Sequence, residues 1–315
     1  MSGVEVAAPA IPAAFDPRRA EGGGAPDALR AFGTAALLGW RMEANWTDPL
    51  LFFIYSVAKP VASAFMLVFM LEVIAGPGAR GLRGFVIVGS ALWSFVISGM
   101  AGLAWSVLDD RERYRMLKYV YVSPSDFLVM LMGRGLARLA IGAMGALIVL
   151  AVGVVFLGLG FDLGRVDWIL LVVVLVLGLT AIVAIGVILA AVCLQTRQES
   201  WSYPEAVAGA LFLLVGAVFP LAVLPSAVQA VGLAMPLTWW LEGVRRALFP
   251  GGRSAIGGDG SLWTAMSGSV APGNGTIVAA LLATTVVVTL VAAVVFRVSE
   301  RRAKDRGLID RTTGS

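Results

Sequence analysis

Long uninterrupted runs of apolar residues constrain this chain more than any other feature of its sequence. A helix needs about 20 apolar residues to cross a bilayer. Five runs reach that length, at 49–75, 84–108, 139–161, 168–194 and 277–296. Charged residues interrupt only the first of them, at Lys59 and Glu72. Because lipid cannot satisfy backbone polar groups, runs of this length predict an all-α integral membrane protein.

The composition supports the same class and excludes several others. Hydrophobic residues make up 59% of the chain and charged residues only 14%, whereas soluble domains carry about 25% charged residues. The net charge of +4 comes from basic residues beside apolar runs, which favours a membrane surface over nucleic acid as partner. The absence of histidine excludes histidine general bases and most zinc or haem sites. With Cys193 alone, an intramolecular disulfide is impossible.

A sixth crossing lies in the range 206–241, which has no charged residue but contains Pro220, Pro225 and Pro236. The range is too long for one crossing, and prolines bend or end helices. We therefore predict one crossing to about Pro220, followed by short re-entrant helices in the outer leaflet. Six crossings put both termini on one side of the membrane. The distribution of Lys and Arg near the span ends predicts that this side is the cytoplasm.

The ends of the chain differ from its middle. Residues 1–26 are rich in Ala, Pro and Gly, and we predict a disordered cytoplasmic tail there. Residues 27–300 form the predicted membrane domain, and residues 301–315 a basic cytoplasmic tail. From Asp27 onward, apolar residues recur at near-helical spacing and predict an amphipathic helix at the membrane interface. The alternative is a helix packed on a neighbouring helix.

The most charged stretch of the chain is 109–127, between the second and third crossings. Tyr114, Leu117 and Tyr121 are spaced to form an apolar ridge on one face of a short amphipathic helix. Such a helix, lying across the cytoplasmic ends of two spans, is suited to docking into a groove of another protein. Alternatively, it floats on the lipid headgroups. Ser123 is predicted to cap the next helix.

The outer-leaflet stretch 219–250 combines helix-breaking prolines with the aromatic pair Trp239 and Trp240. Glu242 and Arg246 lie four residues apart and are predicted to pair. Two interpretations are open for this stretch. It is either a belt of aromatic anchors with its charges facing outside water, or a gate at the outer end of a translocation path.

Three basic residues lie inside predicted spans. A lone lysine in the bilayer, as at Lys59, costs about 2.5–3.5 kcal/mol, so it must snorkel, pair or face a wet cavity. Cavity lining and structural pairing are equally open for it. Arg134 and Arg138 lie one turn apart near the inner end of the third crossing, where cytoplasmic anchoring is the favoured interpretation.

A stripe of small residues runs along the second crossing at four-residue spacing. Its members are Ser90, Ser94, Ser98 and Gly102. Small residues at this spacing allow close helix packing, either within one subunit or across a dimer.

Taken together, three passages resemble the membrane permease of a type-2 ATP-binding cassette exporter. They are the amphipathic N-terminal helix, the passage Ile97–Phe127 and the passage Phe219–Leu248. The resemblance implies a dimer of permease copies, identical or different, with two separate ATPase subunits on the cytoplasmic side of the plasma membrane. ATP and magnesium would be held by those partners. The chain has no GxxxxGK[ST] loop, so we expect no bound cofactor and no enzymatic activity.

The resemblance also assigns roles to particular segments. The coupling helix would be Asp109–Tyr121, and the proline-broken stretch would be the re-entrant outer helices. The expected ATPase-coupling residues are Asp110, Arg113, Tyr114, Leu117, Lys118 and Tyr121. The residues expected at a substrate path or gate are Lys59, Pro220, Pro225, Trp239, Trp240 and Glu242. Family substrates range from drugs to lipid-linked glycans, and no residue selects among them.

Two other functions stay open. An ion-coupled secondary transporter or channel would need buried acids along the spans, and only Glu72, near a span end, qualifies. A membrane-embedded enzyme would need a nucleophile, metal ligands or a catalytic acid pair, none of which the sequence shows. The Gly/Ser-rich stretch 251–275 matches no motif.

Overall fold

Every element in the described part of the chain is helical. The computed structural model describes residues 25–44, 49–75, 80–122, 126–196 and 202–305. Its α-helices are α1 (Ala25–Ala44), α2 (Pro49–Ala75), α3 (Arg80–Leu108), α4 (Leu117–Val122), α5 (Phe127–Phe156), α6 (Trp168–Gln195), α7 (Ser202–Leu214), α8 (Ser226–Ala234), α9 (Pro236–Leu248), α10 (Leu262–Ser267) and α11 (Asn274–Asp305). A π-helical turn follows α3, and 3-10 turns precede α6 and α8. The prediction of an all-α membrane protein is confirmed.

Four stretches of the described residues are long and apolar enough to cross a membrane. They are Leu82–Arg113, Phe127–Phe156, Trp168–Gln195 and Asn274–Asp305. α2 has 27 residues and is about 40 Å long. α7 has only 13 residues and ends at Leu214, before Pro220, so it covers about 20 Å of a hydrocarbon core of about 30 Å. The short helices predicted after Pro220 are present as α8 and α9, while six crossings and a cytoplasmic side stay predictions.

α3 lies at the centre of the bundle, packed between α2, α5, α6, α7 and α9. Small residues on its neighbours make this possible. A Cβ atom added to Gly186 of α6 would lie 2.6 Å from the side chain of Leu103, and one added to Gly135 of α5 would lie 2.4 Å from it. Since Cβ atoms essentially never lie so close to other atoms, a larger residue at either position would force the Leu103 side chain to move.

The predicted small-residue stripe on α3 is partly a packing face. A Cβ atom at Gly142 of α5 would lie 2.5 Å from Ser98, and one at Gly102 would lie 2.7 Å from the side chain of Arg138. Close packing within the subunit is therefore confirmed for Ser98 and Gly102. Ser90 and Ser94 line a cavity instead.

The amphipathic helix α1 packs on α5 through its small residues. Ala35 is buried, and a Cβ atom at Gly133 of α5 would lie 2.5 Å from the carbonyl oxygen of Phe32. On another face of α1, Leu29 and Leu37 are exposed. The alternative of packing on a neighbour therefore holds for one face, and the other remains free for lipid.

The start of α5 corrects one sequence prediction. Asp126 is its N-cap and accepts a hydrogen bond from the backbone N–H of Leu128 at 2.8 Å. The cap predicted at Ser123 lies outside the described residues. Asp126 takes this role because the helix begins at Phe127, whose ring stacks on Phe296 of α11 with centroids 5.9 Å apart.

We expect the contact between α6 and α9 to tolerate no added volume. Gly178 faces Trp240, and a Cβ atom there would lie 1.8 Å from the indole ring. Gly178→Ala should destabilise the protein by about 1–3 kcal/mol, the usual cost of overpacking, measured as a lower melting temperature in detergent. Gly209→Ala is the matched control, because nothing lies within 4 Å of a Cβ at Gly209. Equal melting temperatures for both variants would contradict this packing.

Candidate functional site

A cavity of about 630 Å³ opens between α2, α3, α5 and α7. Its walls are mostly apolar, with the aromatic side chains of Trp93, Trp105 and Phe212. The residues that line it are Glu43, Lys59, Pro60, Ser63, Met66, Leu67, Ser90, Trp93, Ser94, Ile97, Ser98, Trp105, Ile141, Gly142, Gly145 and Phe212. Its volume lies within the about 300–1,000 Å³ typical of small-molecule sites. A cavity of about 430 Å³ beside Arg245 and Arg246 is smaller.

Lys59 lies in the wall of this cavity, which is one of the two locations left open by the sequence. The structure places the residue on an exposed position of α2. Among the described residues, no carboxylate forms an ion pair with it. The neighbouring Pro60 lies inside α2 and has no N–H, so the helix lacks one backbone hydrogen bond beside Lys59.

Buried ion pairs join α1, α3 and α5 at one end of the bundle, which we call the charged end. Arg134 of α5 pairs with Asp110, and both side chains are buried. Arg138, one turn further along α5, lies 2.8 Å from Asp109 and 2.6 Å from Glu43 of α1. Arg134 and Arg138, for which cytoplasmic anchoring was the favoured interpretation, instead direct their guanidinium groups to these carboxylates inside the bundle.

A third arginine, Arg111, donates hydrogen bonds to carbonyl groups at the end of α6. Its Nη1 donates to the carbonyl oxygens of Cys193 at 2.9 Å and Thr196 at 3.0 Å, while Glu112 lies 3.0 Å from Nη2. The last carbonyls of a helix have no partner within the helix and carry partial negative charge. Arg111 therefore ties the end of α3 to the end of α6. Sequence reasoning missed this role because nothing in the local spacing points to α6.

The predicted coupling helix is not one helix. Residues Asp109–Arg113 form a π-helical turn that continues α3, the chain then bends at Arg115 with φ +50°, and α4 follows at Leu117–Val122. Asp110 is buried in its ion pair, so it does not face a partner as predicted.

The apolar ridge predicted on this segment was wrong. Leu117 is only 2% exposed and packs in a cluster that includes Leu103, Phe127 and Leu131. Arg113, Tyr114 and Arg115 are exposed, as is Tyr119. The side chains of Lys118 and Tyr121 lie outside the described residues. The surface presented at the charged end is thus cationic and aromatic.

The opposite end of the bundle is built around a buried arginine of α9. Arg245 donates from Nη1 to the carbonyl oxygen of Gly216 at 2.9 Å and from Nη2 to that of Ala217. Its guanidinium also lies 3.7 Å from the ring centroid of Phe85. Burial lowers the pKa of Arg245 to about 10, with the nearby carboxylate of Glu242 opposing that shift. The group therefore stays charged at neutral pH and neutralises the carbonyls that follow α7.

The aromatic and acidic residues of the predicted gate are packed inside the protein. Trp240 is fully buried against Phe95, with ring centroids 5.9 Å apart. Trp239 is 4% exposed and donates from its indole nitrogen to the carbonyl oxygen of Leu233 at 2.8 Å. Because these rings are held by packing, neither forms an open gate lining or an interfacial belt in this conformation. Pro220 and Pro225 precede the 3-10 turn and α8 respectively.

Glu242 does not face water, contrary to the interpretation in which the charges of this stretch face outside water. It is 2% exposed, and its Oε2 accepts a hydrogen bond from the backbone N–H of Ala255 at 2.7 Å. Its other oxygen lies 3.7 Å from Arg246, which confirms the predicted i,i+4 pair. Arg246 also donates to the carbonyl oxygen of Pro272. Both side chains thereby hold the stretch 251–275 to α9.

Gln229 gives that stretch a second attachment. Its amide nitrogen donates to the carbonyl oxygen of Leu224 at 2.8 Å, and its Oε1 accepts from the N–H of Leu262 at 2.6 Å. The Gly/Ser-rich stretch that matched no motif therefore folds over α8 and α9. A glutamine inside an otherwise apolar helix was the one available signal for this role.

We expect removal of Asp110 to destabilise the charged end severely. Asp110→Ala leaves Arg134 buried without its partner, which should cost about 3–5 kcal/mol. The exchange Asp110→Arg with Arg134→Asp should recover part of that loss. The measurement is the melting temperature in detergent. Glu300→Ala removes the exposed i,i+4 pair with Lys304 and should cost no more than about 0.5 kcal/mol. Similar losses for both single variants would refute the buried pairing.

Removing the Glu242 side chain should free the stretch 251–275. Glu242→Ala deletes the acceptor of the Ala255 N–H, and we expect trypsin to cleave at the exposed Arg253 about tenfold faster because local opening becomes easier. Limited proteolysis followed by mass spectrometry measures the rate. Glu205→Ala, on an exposed position of α7, is the control. Unchanged cleavage at Arg253 would mean that Glu242 does not hold this stretch.

Comparison with known protein families adds one finding to this geometry. Residues 34–249, more than half of the chain, match the family described as ABC-2 type transporter. The matched range runs from α1 to the end of α9 and includes the cavity walls, the charged end and the buried Arg245. No curated protein matches the chain.

Proposed function

The chain belongs to the ABC-2 type transporter family and is an ABC transporter permease, and from this premise we propose that it forms the substrate path of an ATP-driven exporter. In this proposal separate ATPase subunits bind ATP and magnesium. A second permease copy, identical or different, completes the assembly in the plasma membrane, with all termini in the cytoplasm. One observation carries the proposal: the helix that lines the cavity continues to Arg113, where the exposed surface at the charged end begins.

That helix supports mechanical coupling between the two locations. The stretch Leu82–Arg113 is continuous, and Ser90, Ser94 and Ser98 on it line the cavity. At its end, the N–H of Tyr114 donates to the carbonyl oxygen of Asp109 at 2.8 Å. A displacement imposed on the surface beyond Asp109 is therefore transmitted along α3 by helix hydrogen bonds. Because Arg134 and Arg138 pair with the same turn, α5 moves with it.

We propose that the exposed surface docks the ATPase. Arg113 and Tyr114, both expected from the sequence, remain in it, and the structure adds Arg115 and Tyr119. Arginine and tyrosine are enriched at protein interfaces and often dominate their binding energy. We do not include Asp110 and Leu117 among the docking residues, because both are buried. Their contacts hold the surface in position.

The ion-coupled alternative has little support in these helices. It requires carboxylates free to bind an ion within the spans. Three carboxylates at span ends, Glu72, Asp109 and Asp110, each pair with an arginine. A permease driven by a separate ATPase needs no such free carboxylate.

The proposed docking surface is tested by the double variant Tyr114→Asp with Tyr119→Asp. We expect the amount of nucleotide-binding subunit that co-purifies from native membranes to fall tenfold or more, because two aromatic anchors become acidic. Photolabelling with azido-ATP identifies that subunit, and its ATP hydrolysis is measured in the purified complex.

Val223→Asp is the matched control, since Val223 is 73% exposed at the opposite end of the bundle. It should leave co-purification unchanged. Both variants must be monodisperse in detergent, which separates lost docking from lost folding. Wild-type amounts of the nucleotide-binding subunit with the double variant would reject this surface.

A further inference from the structure

Polar residues of the cavity lining on α2 and α3 lie at a similar depth. α2 and α3 run in opposite directions, as the pairing of Glu72 with Arg83 shows. Lys59 lies about 15 Å along α2 from Pro49, and Ser98 lies about 15 Å along α3 from Leu108. The two are therefore at a similar depth. Met66, further along α2, lies about 10 Å beyond Lys59.

Among the described residues that line the cavity, Lys59 is the only basic one and Glu43 the only carboxylate. Glu43 lies 2.6 Å from Arg138 and is held by it. An ammonium group without an anionic partner is costly at this depth. Since no described carboxylate reaches Lys59, an anion entering the cavity would gain a charge-assisted hydrogen bond there.

Three serine hydroxyls of the cavity lining lie at about the depth of Lys59. Ser63 lies one turn beyond Lys59 on α2, and Ser94 and Ser98 face the cavity from α3. Within the described chain none of these three hydroxyls has a hydrogen bond to another residue, whereas that of Ser90 donates to the carbonyl oxygen of Ile87 at 2.9 Å. Free hydroxyls beside an ammonium group can donate to the several oxygens of one anionic head.

The rest of the lining suits an apolar body. Leu67 and Met66 lie beyond the serines on α2, and Ile97 faces the cavity from α3. Trp93 and Phe212 contact each other with ring centroids 5.2 Å apart and form an aromatic wall between α3 and α7. Burying an apolar chain here gains about 25 cal/mol for each Å² removed from water.

We propose that this cavity binds an anionic amphiphile, with its phosphate or carboxylate head at Lys59 and its apolar body against Met66, Trp93 and Phe212. The proposal rests on the proposed function, since it names the substrate class of the same site. A bilayer lipid and a soluble single-chain amphiphile share this chemistry, and the experiment separates them.

Photolabelling in nanodiscs tests the proposal on the full-length protein. The discs are made of phosphatidylcholine, and a trace of phosphatidic acid or phosphatidylcholine carries a diazirine on its acyl chain. Labelled peptides of α2 and α3 are quantified by mass spectrometry. We expect the phosphatidic acid probe to label them about tenfold more than the phosphatidylcholine probe, the effect of one charge-assisted bond.

Variants assign that preference to the site. Lys59→Met should reduce labelling by phosphatidic acid about tenfold, whereas Lys59→Arg should retain it. Lys304→Met is the matched control, because Lys304 lies on α11 and pairs with Glu300. Ser94→Leu fills the cavity without changing charge and should reduce labelling by both probes. Equal labelling by both probes, or wild-type labelling of either Lys59→Met or Ser94→Leu, would overturn the proposal.

Competition identifies the source of the amphiphile. If dodecyl phosphate displaces the phosphatidic acid probe, a soluble amphiphile reaches the cavity; if it does not, the site takes a bilayer lipid, and both results support the anionic class. The labelling needs neither nucleotide nor partner. A failed labelling experiment would therefore leave ATPase docking intact, and a failed docking experiment would leave the cavity proposal intact.

Discussion

The ion pairs between the end of α3 and the middle of α5 hold the functional parts of this permease in register. Unpaired buried charges would cost several kilocalories per mole each. Asp110 and Arg134 therefore stay paired, and a movement of one of their helices moves the other. Arg138 extends the constraint to Glu43 of α1 through a bond of 2.6 Å. The same turn that faces these arginines carries Arg113 toward solvent. The proposed docking surface, the cavity wall and α5 are thus joined by buried electrostatics rather than by apolar packing alone.

Two further arginines donate hydrogen bonds to carbonyl groups at helix ends in the apolar bundle. A helix that ends inside the bundle leaves carbonyl oxygens without donors. Arg111 donates to the carbonyl oxygens of Cys193 and Thr196 at the end of α6, and Arg245 donates to those of Gly216 and Ala217 after α7. A guanidinium group suits this role because it offers five donors in a fixed plane. The cost of burying each charge is therefore offset by carbonyl groups that would otherwise be unsatisfied.

The sequence predicted what depends on local pattern and missed what depends on distant contacts. Apolar runs located α2, α3, α6 and α11, and the spacing of Glu242 and Arg246 predicted their pair. The apolar ridge predicted on residues 109–122 was wrong for a physical reason. A π-helical turn and the bend at Arg115 change the direction in which the later side chains point relative to a regular helix. Leu117 then faces the core, where a regular helix would place it beside Tyr114. No local signal reports that shift, because the partners of Asp109 and Asp110 lie on α5.

The distribution of charge explains why we assign the binding of an anionic head to a single lysine of the cavity. Arg134 and Arg138 are committed to carboxylates and Arg245 to carbonyl oxygens, and the lining has a single cation without a described partner. A cavity with several free charges would stay hydrated and bind apolar chains weakly. A cavity with none would not orient an amphiphile. Since α3 carries both the serines beside Lys59 and the turn held by Arg134, any rotation of that turn changes how closely hydroxyls and ammonium group converge on a bound head.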